Sequence, residues 1–263
     1  MVDTMASTFW VLGCAMLDQA SSMTLTALRR YRAVFGISPG STSVAWSLTD
    51  ATRPSTSRPK HLLWCLMFLK VYASEGVHCC LSGADEKTFR KWVWLWVDLL
   101  ANLRVIVWDR RFELSRPHNR AFVSLDGTDF RIWEPVPYDR KWYSHKFHGA
   151  GLRYEVGVCM RTGNIVWVNG GVPCGEWPDL RLARDSYVHC VRQGEITYAD
   201  KGYRDANYFY FNHAAMANPQ QHKDIMCRHE TMNKRLKQFK ILGGVFRHVP
   251  YTFIPVVSMP SQI

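Results

Sequence analysis

The order of hydrophobic patterns after Arg120 constrains the fold more than any other feature of this chain. Phe122-Val123-Ser124-Leu125-Asp126 reads as a short strand ending in an acid. Residues 153–160 alternate, with Tyr154, Val156 and Val158 on one side, and 165–168 are β-branched and aromatic. Thr162-Gly163-Asn164 between them supplies a hairpin turn. Gly170-Gly171-Val172-Pro173 reads as a break, 180–191 as a helix entered at Pro178-Asp179, 195–199 as a fourth strand, and about 229–240 as a last helix. Three strands, a helix, a strand and a helix make an α/β order with a mixed sheet. A crossover helix allows the fourth strand to lie parallel beside the first.

Upstream the period changes. Leu62, Leu63, Leu66, Met67 and Leu69 suit one amphipathic helix. A shorter apolar segment at 77–81 and the break Ser82-Gly83-Ala84-Asp85 follow. A long helix then carries Phe89, Val93, Trp96, Leu100 and Leu103 at helical spacing, with Ser82 or Asp85 as its cap. This is a helix-turn-helix layout. Lys87, Thr88, Arg90 and Lys91 on the first exposed turns are of the kind that reaches phosphates and base edges. A helical bundle with a solvated basic face gives the same pattern. Residues 1–37 have some helical periodicity, and 38–60, with Pro39, Pro54 and Pro59 among Ser and Thr, read as a linker.

Composition sets the class. At 47% hydrophobic and 13% aromatic, full-length disorder is excluded. A net charge of +11 points to a polyanionic partner, nucleic acid or an acidic membrane, with a basic globular protein that has no specific partner as the alternative. The longest apolar stretches, 9–17, 62–69 and 92–103, fall short of the roughly 20 residues of a membrane span. No Lys or Arg precedes the first of them, as a signal peptide would require, so an intracellular protein is expected. The eight cysteines form no C-x-x-C pair and imply no zinc site, and Cys79-Cys80 read as two buried thiols.

Three acids fall where this topology can gather them. Asp126 ends the first strand, Asp200 ends the fourth, and Glu230 lies on the first turn of the last helix. Carboxylates holding two divalent ions about 4 Å apart are what phosphodiester cleavage by the two-metal route requires. Hard oxygen donors suit Mg²⁺ or Mn²⁺. Each acid also has a structural reading: Asp126-Gly127 and Asp200-Lys201-Gly202 as turns, Glu230 as a helix-dipole partner. Asp179 reads equally as a helix-start acid or a fourth ligand, and Asp129 and Glu134 as loop carboxylates. On the last helix Glu230, Asn233, Lys234 and Lys237 share one face, opposite Met232, Leu236 and Phe239. Lys237 is placed to hold a DNA phosphate.

Taken in order, Asp126-Gly127-Thr128, the run Gly170 to Gly175 leading to Asp179, Ala199-Asp200-Lys201-Gly202-Tyr203, and Arg228-His229-Glu230 with Arg235 to Phe239 resemble the signature of DDE transposases of the PIF/Harbinger type. The resemblance is strong over about 120–250 and looser over 61–107. It implies a ribonuclease-H-like endonuclease domain at 120–250, preceded by a helix-turn-helix-like module at 61–110. A poorly defined segment at 1–60 and a divergent tail at 251–263 flank them. It further implies Asp126, Asp200 and Glu230 as catalytic metal ligands, Asp179 as a further acid of the metal site, and Lys237 as a phosphate contact. Lys223 and Met226 stand where relatives often carry Tyr and Arg before the glutamate. By the same resemblance the chain cuts DNA at transposon ends and joins it to a target, using two Mg²⁺ or Mn²⁺ ions. A separate DNA-binding partner protein, a homo-oligomer and, in a eukaryotic host, nuclear residence come with it. The apolar tail, where relatives continue with more helix, supports a second expectation: a truncated remnant that binds DNA without cutting it.

Overall fold

The computed structural model describes residues 3–116, 119–211 and 218–248, and divides the chain into two compact units. The expected tail at 251–263 lies outside the described residues.

The first unit holds α1 (Thr4–Met16), α2 (Leu25–Phe35), α3 (Pro39–Leu48), α4 (Pro59–Val71), α5 (Glu75–Ser82) and α6 (Glu86–Ala101). All nine residues from His61 to Leu69 are buried, so α4 is a central helix covered on every side, not the amphipathic helix its leucines suggest. The stretch expected to be a linker contains α3, whose Thr42, Ser43 and Ala45 are buried. Its hydroxyls make this possible. Thr42 and Ser47 donate to carbonyls one turn back, at 2.9 and 3.1 Å, so a polar segment enters the core with its donors satisfied.

The short helix, turn and long helix expected at 77–101 are present as α5, Gly83 in a left-handed conformation, and α6. Asp85 caps α6, accepting from the Thr88 N–H at 2.9 Å. Cys80 is exposed and Cys79 half-buried, contrary to the expected pair of buried thiols, because α5 turns only His78 fully inward. No described helix is long and apolar enough to cross a membrane.

The second unit is built on a mixed sheet of six strands: β1 (Ala121–Arg131), β2 (Tyr143–Ser144), β3 (Gly149–Cys159), β4 (Ile165–Pro173), β5 (Ile196–Tyr198) and β6 (Phe209–Tyr210). The strands β4, β3 and β1 form an antiparallel meander, β5 and β6 extend it parallel to β1, and β2 adds to β3. Between β4 and β5 the chain crosses over through α7 (Asp179–Leu182), a π turn (Ala183–Tyr187) and α8 (Val188–Cys190). The helix α9 (Pro219–Lys237) follows β6, and α10 (Lys240–Gly243) lies with the first unit. This order, with flanking helices, is compatible with a ribonuclease-H-like fold.

Alternation along β1 sorts its side chains between two faces. Val123 and Leu125 join Ala183, Tyr187, Tyr203 and Phe209 in the core on the crossover side. Ser124 and Asp126 point the other way, to α9.

Three expectations about segment limits need correction. The first strand continues to Arg131 in unbroken register with β3, so Asp126 lies in mid-strand and Asp126-Gly127 is not a turn. Gly170 and Gly171 do not break the chain. They take positive φ within β4, where its register with β3 shifts. The last helix begins at Pro219, ten residues earlier than its apolar pattern indicates. Asn218 caps it, accepting from the Gln221 N–H at 3.0 Å. Glu230 therefore sits in mid-helix, where a role at the N-terminal dipole is excluded.

Candidate functional site

Parallel pairing of β5 with β1 sets the site. Ser124 opposes Tyr198, so Asp126 and Asp200, each two residues further on, leave the pair of strands side by side. Asp126 is held by Asn233 of α9, whose amide donates to Oδ2 at 2.9 Å. Burial, and then the negative charges of Asp200 and Asp179, raise its pKa to about 7 against the opposing pull of Lys146. Lys146 donates to the Gly127 carbonyl at 3.0 Å. Asp200 accepts from the Gly202 N–H at 2.7 Å.

Two glycines permit this crowding of carboxylates. A Cβ on Gly127 would lie 2.1 Å from Asp179 Oδ1, and one on Gly202 would lie 2.9 Å from both Asp179 Oδ2 and Asp200 Oδ1. Asp179 thus packs against β1 from the Gly127 face, whereas Asp126 faces α9. Its neighbours there are structural. Arg153 reaches Asp179 at 3.3 Å and grips Asp129 with two bonds, at 2.8 and 3.0 Å. Ser144 of β2 donates to the same Asp129 at 2.7 Å.

Burial would raise the Asp129 pKa, but Arg153, Lys146 and Ser144 outweigh it and hold the carboxyl below its ordinary value. Asp129 is therefore a buried strand residue, not the loop carboxylate expected. Burial keeps Asp179 above its ordinary value despite Arg153 and Lys146.

Glu230 lies at the surface. Its side chain is 64% exposed and pairs with Lys234 at 2.9 Å. With Asp200, Lys223 and Cys227 it lines a cavity of about 620 Å³. Among the α9 residues that meet the sheet are His222, at the Ala199 carbonyl, His229, bonded to Ser124 at 2.9 Å, and Asn233. Glu230, one residue on from His229, is rotated about 100° away. Among the described residues no three His, Cys, Asp or Glu side chains are gathered closely enough to hold a metal ion.

The donor chemistry of Asp126 and Asp200 nevertheless fits a hard divalent cation. Both are oxygen donors, and the burial and neighbouring negative charge that raise the Asp126 pKa would be offset by a cation there.

The residues expected to touch DNA divide. Thr88 is engaged in the α6 cap, and Arg90 is tied to Glu75 of α5, with its Nε at 2.8 Å. Lys87 and Lys91 are exposed. Lys237 is the last residue of α9 and is exposed.

Sequence patterns did not single out Arg153 as a site residue. The signal for it is a cation in an alternating strand, directly opposite an acid, since Arg153 and Asp129 are register partners.

His229 offers a test of this packing. It is fully buried, and burial lowers its pKa to about 4 from an ordinary 6.5. The stability this confers is complete above pH 6.5 and is lost as pH falls through 4. The advantage of the native chain over His229→Gln is therefore expected to shrink by about 3 kcal/mol across that window, measured by urea unfolding at each pH.

No family model matches the chain, and no curated protein matches it in sequence. A solved structure described as the crystal structure of a pre-cleavage Mos1 transpososome aligns with 98% of this chain and 95% of its own, at 9% identity and a TM-score of 0.21. A superposition that loose does not define a shared fold.

Proposed function

We propose that this chain is a transposase-derived, divalent-metal-dependent DNA endonuclease that cleaves phosphodiester bonds, and joins them where a full transposition reaction is retained. The observation that carries the reading is the pair Asp126 and Asp200, brought together by parallel strands, with Asp126 held above its ordinary pKa by burial first and then by the charge of Asp200 and Asp179. The ordered motifs around both residues, and the +11 charge that suits a DNA partner, point the same way.

In this reading Asp126 and Asp200 hold Mg²⁺ or Mn²⁺, and Asn233 keeps the Asp126 carboxylate in one orientation. Glu230 is the third catalytic ligand. An exposed ion pair such as Glu230–Lys234 contributes about 0–1 kcal/mol, so releasing the glutamate costs little. When bound, two such ions supply an activated water or hydroxyl and stabilise the leaving oxygen. Asp179 serves the Arg153 pair and acts on the site through its charge. Lys87, Lys91 and Lys237 contribute to holding duplex DNA, at transposon ends and target, alone or with a DNA-binding partner protein or a second copy.

The second reading, a remnant that binds DNA without cutting it, is favoured by one observation: among the described residues no three His, Cys, Asp or Glu side chains are gathered closely enough to hold a metal ion. Labelled duplex DNA incubated with the protein in Mn²⁺, Mg²⁺ or EDTA separates the two. Cleavage in metal alone, lost in Asp126→Ala, Asp200→Ala and Glu230→Ala, is the expected result. Binding without cleavage in either metal leaves the remnant.

A further inference from the structure

The second unit has a basic pocket that the carboxylate site does not use. It is a cavity of about 540 Å³ whose wall includes Arg120 before β1, Arg161 in the β3–β4 turn, Arg228 of α9, Tyr198 of β5 and Asp224 of α9. A smaller cavity of about 200 Å³ adjoins it, sharing Arg161 and Arg228 and reaching Ser124 on β1. Three arginines and one carboxylate thus line the pocket, and that carboxylate already accepts from the Gln220 amide at 2.8 Å.

Arg161 and Arg228 have no ion-pair partner among the described residues, and Arg120 gives only its Nε, to the Gly194 carbonyl at 2.9 Å. Elsewhere in this unit Arg111, Arg153 and Arg184 are each paired with acids. A pocket in which cations outnumber acids three to one attracts an anion. The guanidinium fork matches phosphate oxygens in pairs.

We propose that this pocket binds the phosphodiester backbone of DNA at a site separate from the carboxylates. The proposal rests on the reading that the chain acts on DNA. The pocket opens at Ala121, five strand residues before Asp126, or about 17 Å along β1. That length corresponds to about five base pairs of duplex. The arginines therefore hold the flank of the duplex while the scissile phosphate lies at Asp126. The volume exceeds what one inorganic phosphate needs, and the spread of the arginines over three elements suits successive phosphates of one strand.

The test is duplex affinity by fluorescence anisotropy against salt, in EDTA, so that binding is read without cleavage. The double variant Arg161→Ala/Arg228→Ala is compared with Arg29→Ala/Arg30→Ala, an equal loss of charge on α2. The side chains of all four are exposed, and thermal melts verify that the folds persist.

The expected result is a roughly 10- to 100-fold loss of affinity for the pocket variant near physiological salt. Its log–log salt slope should be shallower by about two contacts' worth. An unchanged slope, or an equal loss in the α2 variant, overturns the proposal. So does displacement of DNA by millimolar inorganic phosphate, which would mark a site for isolated anions. Salt-dependent binding through these arginines, without cutting in any metal, leaves the pocket standing and removes the nuclease reading alone.

Discussion

Asp126→Asn is expected to stabilise the metal-free protein at pH 8 while abolishing DNA cleavage. The carboxyl's pKa rises from 3.8 to about 7 on folding, through burial first and then the charges of Asp200 and Asp179. An acid with a raised pKa keeps its proton in the folded state over that window. Its folded state therefore loses stability as pH climbs from 3.8 to 7, and the full cost is present above 7.

A shift of this size, reduced for the partial exposure of the group, corresponds to about 3 kcal/mol. Asparagine at 126 carries no charge and still offers an oxygen to Asn233. Urea unfolding at pH 8 and pH 4 checks the sign: the gain should be present at the first and nearly absent at the second. Added Mg²⁺ should stabilise the native chain and leave the variant unmoved. A variant no more stable than the native chain at pH 8 refutes the assignment of strain to this carboxylate.

The largest loss of stability is expected from Arg153→Ala. Asp129 is fully buried, and Arg153 supplies two of its hydrogen bonds as well as its counter-charge. Removing one member of a buried pair leaves an uncompensated charge, at a cost of about 3–5 kcal/mol. The same guanidinium donates to the Trp177 carbonyl at 3.1 Å and faces Asp179. The entry to α7 should therefore loosen together with the strand. In a double-mutant cycle, Asp129→Asn added to Arg153→Ala should restore part of the loss, because position 129 then carries no buried charge and only Asp179 is left without its cation. A single-variant cost below about 1 kcal/mol would mean that water already reaches Asp129.

Much of this architecture was legible in the residues. The Thr162-Gly163-Asn164 hairpin and the parallel fourth strand follow from the residues, as does a cap at Ser82 or Asp85, which the structure places at Asp85. What escaped was decided by partners distant in sequence. The polar run from Asp126 to Asp129 reads as a turn until Arg153, 24 positions on, neutralises Asp129 within the sheet. The start of α9 hides among Asn and Gln because its inward contacts are polar: His222 to the Ala199 carbonyl and His229 to Ser124. An apolar stripe is the wrong signature for such a helix. The aspartates of the candidate site could be picked out by motif, whereas the exposure of Glu230 depends on which α9 residues contact β1.

Gly127 has a consequence that reaches across the sheet. Because nothing stands between its backbone and the Asp179 carboxylate, a charge on the crossover face is felt by Asp126 on the α9 face. The strand is, in effect, electrically transparent at this one position. Any change that weakens the grip of Arg153 on Asp179 will then register as a shift in Asp126 titration, and so, on the proposed reading, in the pH at which the site would take up a cation. A side chain at 127 would close that window by pushing the two carboxylates apart, detuning the site without touching a single ligand.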